Sequence, residues 1–263
     1  MRGEKTFSFF LLLFFILISQ TTATNYPINV WPKPTTFHWP NPKSIFLSSN
    51  FTISHPYHRY LTPAVDRYRH LILSEHHRPI ITPAINLTSS IPLQSLIISV
   101  SDVTSPLAHG VNESYSLSTP SGGSSAYITA GTVWGAMRGL ETFSQLVYGN
   151  PTRVAAGVYI HDLPIFTHRG VVLDTSRNFY GVDHLLRLIK AMSMNKLNVF
   201  HWHITDSHSF PLVIPSEPKL AGKGAYSNEM MYSPADVQKI VQYGMEHGVR
   251  VLPEIDMPGN QNL

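Results

Sequence analysis

The 263-residue chain contains no cysteine, which excludes disulfide staples and thiolate chemistry and leaves packing to stabilise the fold. Charged residues make up only 13%, against 43% hydrophobic ones, and the formal net charge is +3. So small and dispersed a charge excludes a nucleic-acid-binding role, and so apolar a composition excludes intrinsic disorder. Beyond the first 23 residues no apolar run approaches the roughly 20 residues that a membrane-spanning helix needs. No Asp-Glu dipeptide occurs anywhere in the sequence.

The N-terminus carries a different signal. Arg2 and Lys5 precede a nearly unbroken apolar run from Phe7 to Ile18, and Thr21 and Ala23 supply small residues for cleavage. This pattern predicts a secretory signal peptide over 1–23 and no membrane anchor in the mature chain. Losing Arg2, Glu4 and Lys5 takes the charge from +3 to +2. Asn-x-Ser/Thr sequons at Asn50, Asn86 and Asn112 fit glycosylation on the secretory route, with the extracellular space (apoplast) or the vacuole as destination. Their clustering before residue 115 points to an exposed outer domain.

Residues 25–44 are proline-rich and are expected to run extended over the surface. A small α/β unit over 24–165 follows from strands at Ser44–Ile53, Leu93–Val100 and Ala126–Ala130 and a helical stripe of Leu61, Val65, Tyr68 and Ile72. Thr132 reads as the N-cap of a helix bearing Val133, Met137, Leu140, Phe143 and Val147 on a core-facing stripe, closed by Gly149, Asn150 and Pro151. Over 166–263 the rhythm becomes β-α-β-α-β. Arg169–Asp174, Leu197–His203 and Val249–Ile255 are the strands. One helix stripe runs through Val182, Leu185, Leu186, Ile189 and Met192. A second, behind the Ser233-Pro234 cap, runs through Val237, Ile240 and Val241, with Gly248 as its stop. The strands are too apolar to face water on either side, which predicts a parallel sheet.

In such sheets reactive groups gather at the carboxyl ends of the strands. Here those ends carry Asp174, Thr175, Ser176 and Arg177, then His203 and Asp206, then Glu254 and Asp256. Three polar ends in succession point to one pocket. Each residue has a plainer reading. Arg177 could be a surface cation, although its fixed donors suit a carboxylate or a polyhydroxyl ligand. His201 and His203, on one strand face, have metal-ligand spacing but also read as hydrogen-bonded core histidines. Asp206 could cap the following turn. Glu254 and Asp256 could serve acid/base work or form a structural pair. Trp202 is a core residue or a sugar-stacking face, the core being the safer assignment.

Four segments in order, G-T-V-W-G-A-M-R-G-L-E-T-F-S-Q (Gly131–Gln145), R-G-V-V-L-D-T-S-R-N-F (Arg169–Phe179), N-K-L-N-V-F-H-W-H-I-T-D (Asn195–Asp206) and V-L-P-E-I-D-M-P-G (Val251–Gly259), together resemble glycoside hydrolase family 20, the β-N-acetylhexosaminidases, most closely its plant members. The resemblance covers essentially the whole mature chain. It implies a small N-terminal α+β domain ahead of the first three βα units of a (β/α)8 TIM barrel. It further implies removal of terminal N-acetylglucosamine or N-acetylgalactosamine from glycans, with the substrate's own acetamido oxygen as nucleophile. No metal or organic cofactor is implied, and dimerisation of a full-length form is. By match, Arg177 holds hydroxyls of the terminal sugar, and Asp206 and Asp256 belong to the polar network around the reacting centre.

The family's acid/base glutamate and its aspartate partner form an Asp-Glu pair on a later strand, which this sequence lacks; the usual histidine after Pro-Gly is Asn260. The chain therefore reads as an inactive fragment. Its barrel part, 98 residues from Phe166 to Leu263, falls short of the roughly 250 residues of a typical barrel, and the C-terminal half is expected to be poorly soluble with an uncovered apolar face. Two other readings are a non-catalytic secreted glycan-binding protein using Arg177 and Asp206, and a metal-dependent barrel hydrolase using His201 and His203.

Overall fold

The computed structural model describes residues 28–75, 86–87 and 91–256. The signal-peptide segment 1–23 and the Pro258–Asn260 departure lie outside the described residues. A mixed sheet forms the N-terminal unit. Its strands are β1 (Thr36–His38), β2 (Lys43–Ser54), β3 (Asn86–Leu87), β4 (Leu93–Asp102), β5 (Tyr115–Ser118), β6 (Ser125–Thr132), β7 (Val147–Tyr148), β8 (Arg153–Ala156) and β9 (Tyr159–Asp162), in the order β1-β9-β5-β6-β4-β2-β8-β7 with β3 beside β2. Helices α1 (Leu61–Ser74) and α2 (Val133–Gln145) belong to this unit. The C-terminal unit is a three-stranded parallel sheet of β10 (Gly170–Asp174), β11 (Val199–Thr205) and β12 (Arg250–Ile255), joined through α3 (Val182–Met194), α4 (Pro218–Gly224) and α5 (Pro234–Glu246).

The local signals operate as read. The Thr132 side chain accepts from the Gly135 amide at the start of α2. Ser233 and Asp236 form a reciprocal capping box on α5, with Pro234 in its first turn. Gly248, at φ +66°, turns the chain out of α5 towards β12. Several expectations are corrected. Helix α2 ends at Gln145, so Val147 lies on β7, and Gly149–Pro151 close the β7–β8 hairpin instead of a helix. Gln145 is the last helical residue because the Leu146 amide turns back to Phe143 and Ser144. The proline-rich start is not wholly superficial: Ile28, Val30 and Trp39 are buried, and Trp39 donates from Nε1 to Ala156 O at 2.8 Å. The short strands β1, β5 and β9, four residues or fewer each, were below the length at which alternation can be read from sequence. Val241 is exposed, because α5 buries only Ile240 and Gly244.

The three-stranded sheet is parallel, as expected, with one covered and one uncovered face. One face, carrying Phe200 and Trp202, packs on Leu185, Ile189 and Ile240 of the flanking helices. The other is open: Val172, at 63% exposure, Leu252 and His201 stand side by side in the parallel register. Among the described residues, β10 and β12 each pair with β11 alone. The strands are apolar on both faces as read, but only one face is covered.

Helix α2 is buried on nearly every side, from Val133 to Phe143. It packs on β6 and β5 on one side and reaches the C-terminal unit on another. There Glu113 forms a buried ion cluster. Its Oε2 accepts from Arg138 Nε at 2.8 Å and Arg169 Nη2 at 2.7 Å, and its Oε1 accepts from Asn198 Nδ2 at 2.7 Å. Burial alone would raise the Glu113 carboxyl's pKa, but the two guanidinium groups outweigh it and hold the group below the usual range. Arg138 also donates to Gly248 O, and Lys196 Nζ reaches Tyr115 Oη and Asp162 Oδ2, each at 2.8 Å. The seam thus ties β5, α2 and β9 to the starts of β10 and β11.

Glu113→Ala leaves the buried Arg138 and the half-buried Arg169 guanidinium groups without their carboxylate. It should destabilise the protein by about 3–5 kcal/mol, read as a lower midpoint in urea denaturation. Arg67→Ala, which removes the bond from Arg67 Nη2 to Glu246 O across the same seam, should cost only about 1 kcal/mol.

Candidate functional site

At the end of β10 the Asp174 carboxylate folds the chain back. Its Oδ1 accepts from the amides of Ser176 and Arg177, both at 2.9 Å, an Asx turn that sets where Arg177 stands. The loop is fixed to β11 and its continuation: the Thr175 amide donates to His203 O at 2.9 Å, and Ser176 and Ser209 exchange hydroxyl-to-carbonyl bonds at 2.8 and 2.7 Å. Trp202 is fully buried and donates from Nε1 to Thr175 Oγ1, so it is core and not a sugar platform.

Arg177 lies between two carboxylates, with Nη1 2.8 Å from Asp174 Oδ2 and Nη2 2.6 Å from Asp206 Oδ2. Its side chain is 56% exposed, whereas that of Asp206 is 3% exposed. Asp206 does join a tight turn, bridging to Ser209, and its Oδ1 accepts from the Ser207 hydroxyl at 2.8 Å. Its other oxygen faces Arg177, so the carboxylate is more than a turn cap. The Ser207 bond chiefly holds the Asp206 carboxyl well below the usual range, against the opposing effect of burial, with help from His203 and His208.

His201 and His203 share a strand face as their spacing predicts, and both reach Glu254. Oε2 of Glu254 is 2.5 Å from His201 Nε2 and 3.1 Å from His203 Nδ1. They are hydrogen-bonded, but His201 stands on the open face and is not a core residue. The second nitrogen of His203, Nε2, faces Asp206 Oδ2 at 3.3 Å. Only the doubly protonated ring donates from both nitrogens, so a carboxylate at each one favours that form. Burial lowers the His203 pKa, but bonds to Glu254 and Asp206 and the field of Asp174 prevail and raise it. Glu254 is held below its ordinary value, first by His203 and then by His201. Register explains the row: Asp174, His203 and Glu254 are direct neighbours across the three strands. Glu254 is thus engaged by the histidines. Asp256, half-buried, is the first residue past β12.

The metal reading based on the His201/His203 pair is not supported by the geometry. Among the described residues, the donors that come within 4.8 Å of one another belong to Asp174, His203 and Asp206, without His201. The Arg177 guanidinium already bridges those two carboxylates, where a divalent cation would have to sit. Sequence reasoning missed Glu254 as the junction of both histidines. Aligning the three strand ends in parallel register would have found it. A cavity of about 420 Å³ lies elsewhere, at the opposite end of β10, between Ile165, Phe166, Arg169 and the Glu113 seam.

Comparison with known proteins gives this cluster a context. Residues 166–262 match the glycosyl hydrolase family 20 catalytic domain, and residues 30–146 match the beta-acetyl hexosaminidase-like family. The chain is 40% identical to beta-hexosaminidase subunit B1 of Dictyostelium discoideum over 88% of its own length and 41% of that protein. It is 37% identical to human beta-hexosaminidase subunit beta over 93% of its length and 47% of that protein. Among solved structures, the chitobiase of Flavobacterium johnsoniae superposes with a TM-score of 0.75 at 29% identity, covering 89% of this chain and 35% of the other. The β-N-acetylhexosaminidase of Streptomyces coelicolor gives 0.67 at 28%, covering 89% and 47%. The chain belongs to glycoside hydrolase family 20, and its fold is that of the family's N-terminal unit with part of its barrel. It spans less than half the length of these curated relatives.

The charge row predicts a pH window. His203 is raised above 6.5, so its stabilising contribution is complete below 6.5 and fades as pH rises through its own higher value. Glu254 is lowered from 4.5, so its contribution is complete above 4.5 and fades as pH falls through its lower value. The cluster should therefore be most stabilising in mild acid. Titration of the His203 ring by NMR should give a midpoint above 6.5, moving down in Glu254→Gln; an unshifted midpoint in that variant would contradict the bridge.

Proposed function

We propose that the chain is part of a β-N-acetylhexosaminidase-type glycoside hydrolase and that its strand-end cluster is one wall of the pocket for a terminal N-acetylglucosamine or N-acetylgalactosamine. The observation that carries this reading is Arg177, held by two carboxylates while more than half its side chain stays exposed. Of its five N–H donors, two are committed to Asp174 and Asp206; among the described residues the others are available to sugar hydroxyls. A guanidinium fixed in advance loses little conformational freedom on binding. Asp206 orients it, and Asp256, at the end of the next strand, belongs to the polar network around the reacting centre.

Chemically, the substrate's acetamido oxygen attacks the anomeric carbon while a carboxylic acid protonates the leaving oxygen. That acid and its aspartate partner correspond to an Asp-Glu pair, and none occurs in these 263 residues. The wall described here therefore supplies binding and orientation. The apolar N-terminal segment and the sequons support entry to the secretory route, with an extracellular or vacuolar destination.

Calorimetry should detect N-acetylglucosamine binding that Arg177→Ala weakens by about tenfold or more, the loss of a charged hydrogen-bonding group. Arg177→Lys should not restore it, since a point charge cannot span both carboxylates and the sugar. The purified chain should not turn over a chromogenic N-acetylglucosaminide. Equal binding by wild type and Arg177→Ala would remove the pocket assignment.

A further inference from the structure

The sequons are not equivalent in the folded chain. In Asn50-Phe51-Thr52, the middle residue is fully buried and stacks on Phe143 with ring centroids 6.0 Å apart, while Asn50 and Thr52 on either side are exposed. This part of β2 is loosely held. The ladder to β4 skips from Leu47–Leu93 to Thr52–Ser95, and the ladder to β8 stops at Phe46–Arg153. The Asn50 backbone amide donates to Ser48 Oγ at 3.2 Å, and among the described residues no hydrogen bond engages its carboxamide. A bulky group there meets solvent.

Asn112-Glu113-Ser114 is the reverse case, although Asn112 is exposed by area. Its Oδ1 accepts from the Ser114 amide at 2.9 Å, and its main-chain oxygen accepts from Thr132 Oγ1 at 2.6 Å. Its Nδ2 lies against Gly131, so closely that a Cβ there would come within 2.3 Å of it. The loop is gripped again from α2, where a Cβ on Gly135 would meet Ser114 O at 2.4 Å. Between these contacts the backbone aims Glu113 into the ion cluster between the two units. A glycan on Nδ2 has no room against Gly131 unless the carboxamide swings away, and swinging away gives up the Oδ1 bond to the Ser114 amide beside Glu113.

We propose that Asn50 is a glycan-bearing residue of the folded protein and that the Asn112 carboxamide is a structural element that stays unmodified. The proposal rests on the secretory reading above. Transfer bonds Nδ2 of Asn50 to the anomeric carbon of an oligosaccharide, breaks that sugar's bond to the diphosphate of a lipid-linked donor and releases a proton. Because such transfer meets the chain before it folds, the structure acts afterwards: molecules modified at Asn112 form the seam poorly and are lost from the folded pool, whereas a glycan on Asn50 is tolerated.

The test is expression of the whole chain, with its own N-terminal segment, in a plant secretory host, followed by glycopeptide mass spectrometry of the soluble folded fraction. The Asn50 peptide should carry a glycan and the Asn112 peptide should not. Asn50→Gln should lose the mass of one glycan and leave the unfolding temperature of the enzymatically deglycosylated protein unchanged. Asn112→Gln should keep its glycan mass and unfold at a lower temperature. A bare Asn50 in protein whose leader has been removed, or an Asn112 as fully occupied as Asn50 in folded material, would overturn the assignment. An intact leader with no glycan on any sequon would instead overturn the secretory reading on which it rests.

Discussion

The Glu113 carboxylate is the constraint on which the two units jointly depend. It sits just before β5 yet takes donors from Arg138 on α2, Arg169 before β10 and Asn198 before β11. Charges so deeply buried are tolerable only when fully paired, because desolvation of each ion is worth several kcal/mol. Each unit supplies what the other would leave unsatisfied. The Arg169 carbonyl also accepts the amides of Asn198 and Val199, at 2.8 and 3.2 Å, so the cluster sets the starting register of β10 against β11. Parallel register is carried along the strands without slack. A fixed start therefore places Asp174 beside His203 at the other end.

That far end uses the opposite electrostatic arrangement. At the seam, one carboxylate neutralises two guanidinium groups away from water. At the strand ends, Asp174, Asp206 and Glu254 surround one exposed guanidinium and the His203 ring. The seam serves rigidity, and the strand ends present fixed but reachable donors. The cavity of about 420 Å³ lies near the seam, where the chemistry is already satisfied; the accessible N–H groups of Arg177 lie at the strand ends. Site assignment here follows hydrogen-bonding capacity and not volume.

Much of this was legible from residues alone. The Thr132 cap, the Ser233-Asp236 box with Pro234, the Gly248 stop and the three apolar strands are local signals, each acting over a few residues, and each operates in the structure. The shared face of His201 and His203 follows from a period of two. The errors also have a common origin. Val147 continued a helical stripe because periodicity cannot detect a hairpin in which two residues suffice to pair. The core half of the hydrogen-bonded-histidine reading fails at His201, because an apolar strand carries no mark of which face its neighbours will cover.

The sequence by itself determined the elements, the parallel order of the last three strands, the polar loading of their ends and the family to which the chain belongs, because propensity, capping and periodicity are short-range properties. Tertiary structure alone decided the partners. Glu113 meets residues 25, 56 and 85 positions away, and His203 gains a carboxylate at Nδ1 only when β12 brings Glu254 there. Charge state and burial depend on what long-range packing places within hydrogen-bond reach, and no local pattern encodes that distance.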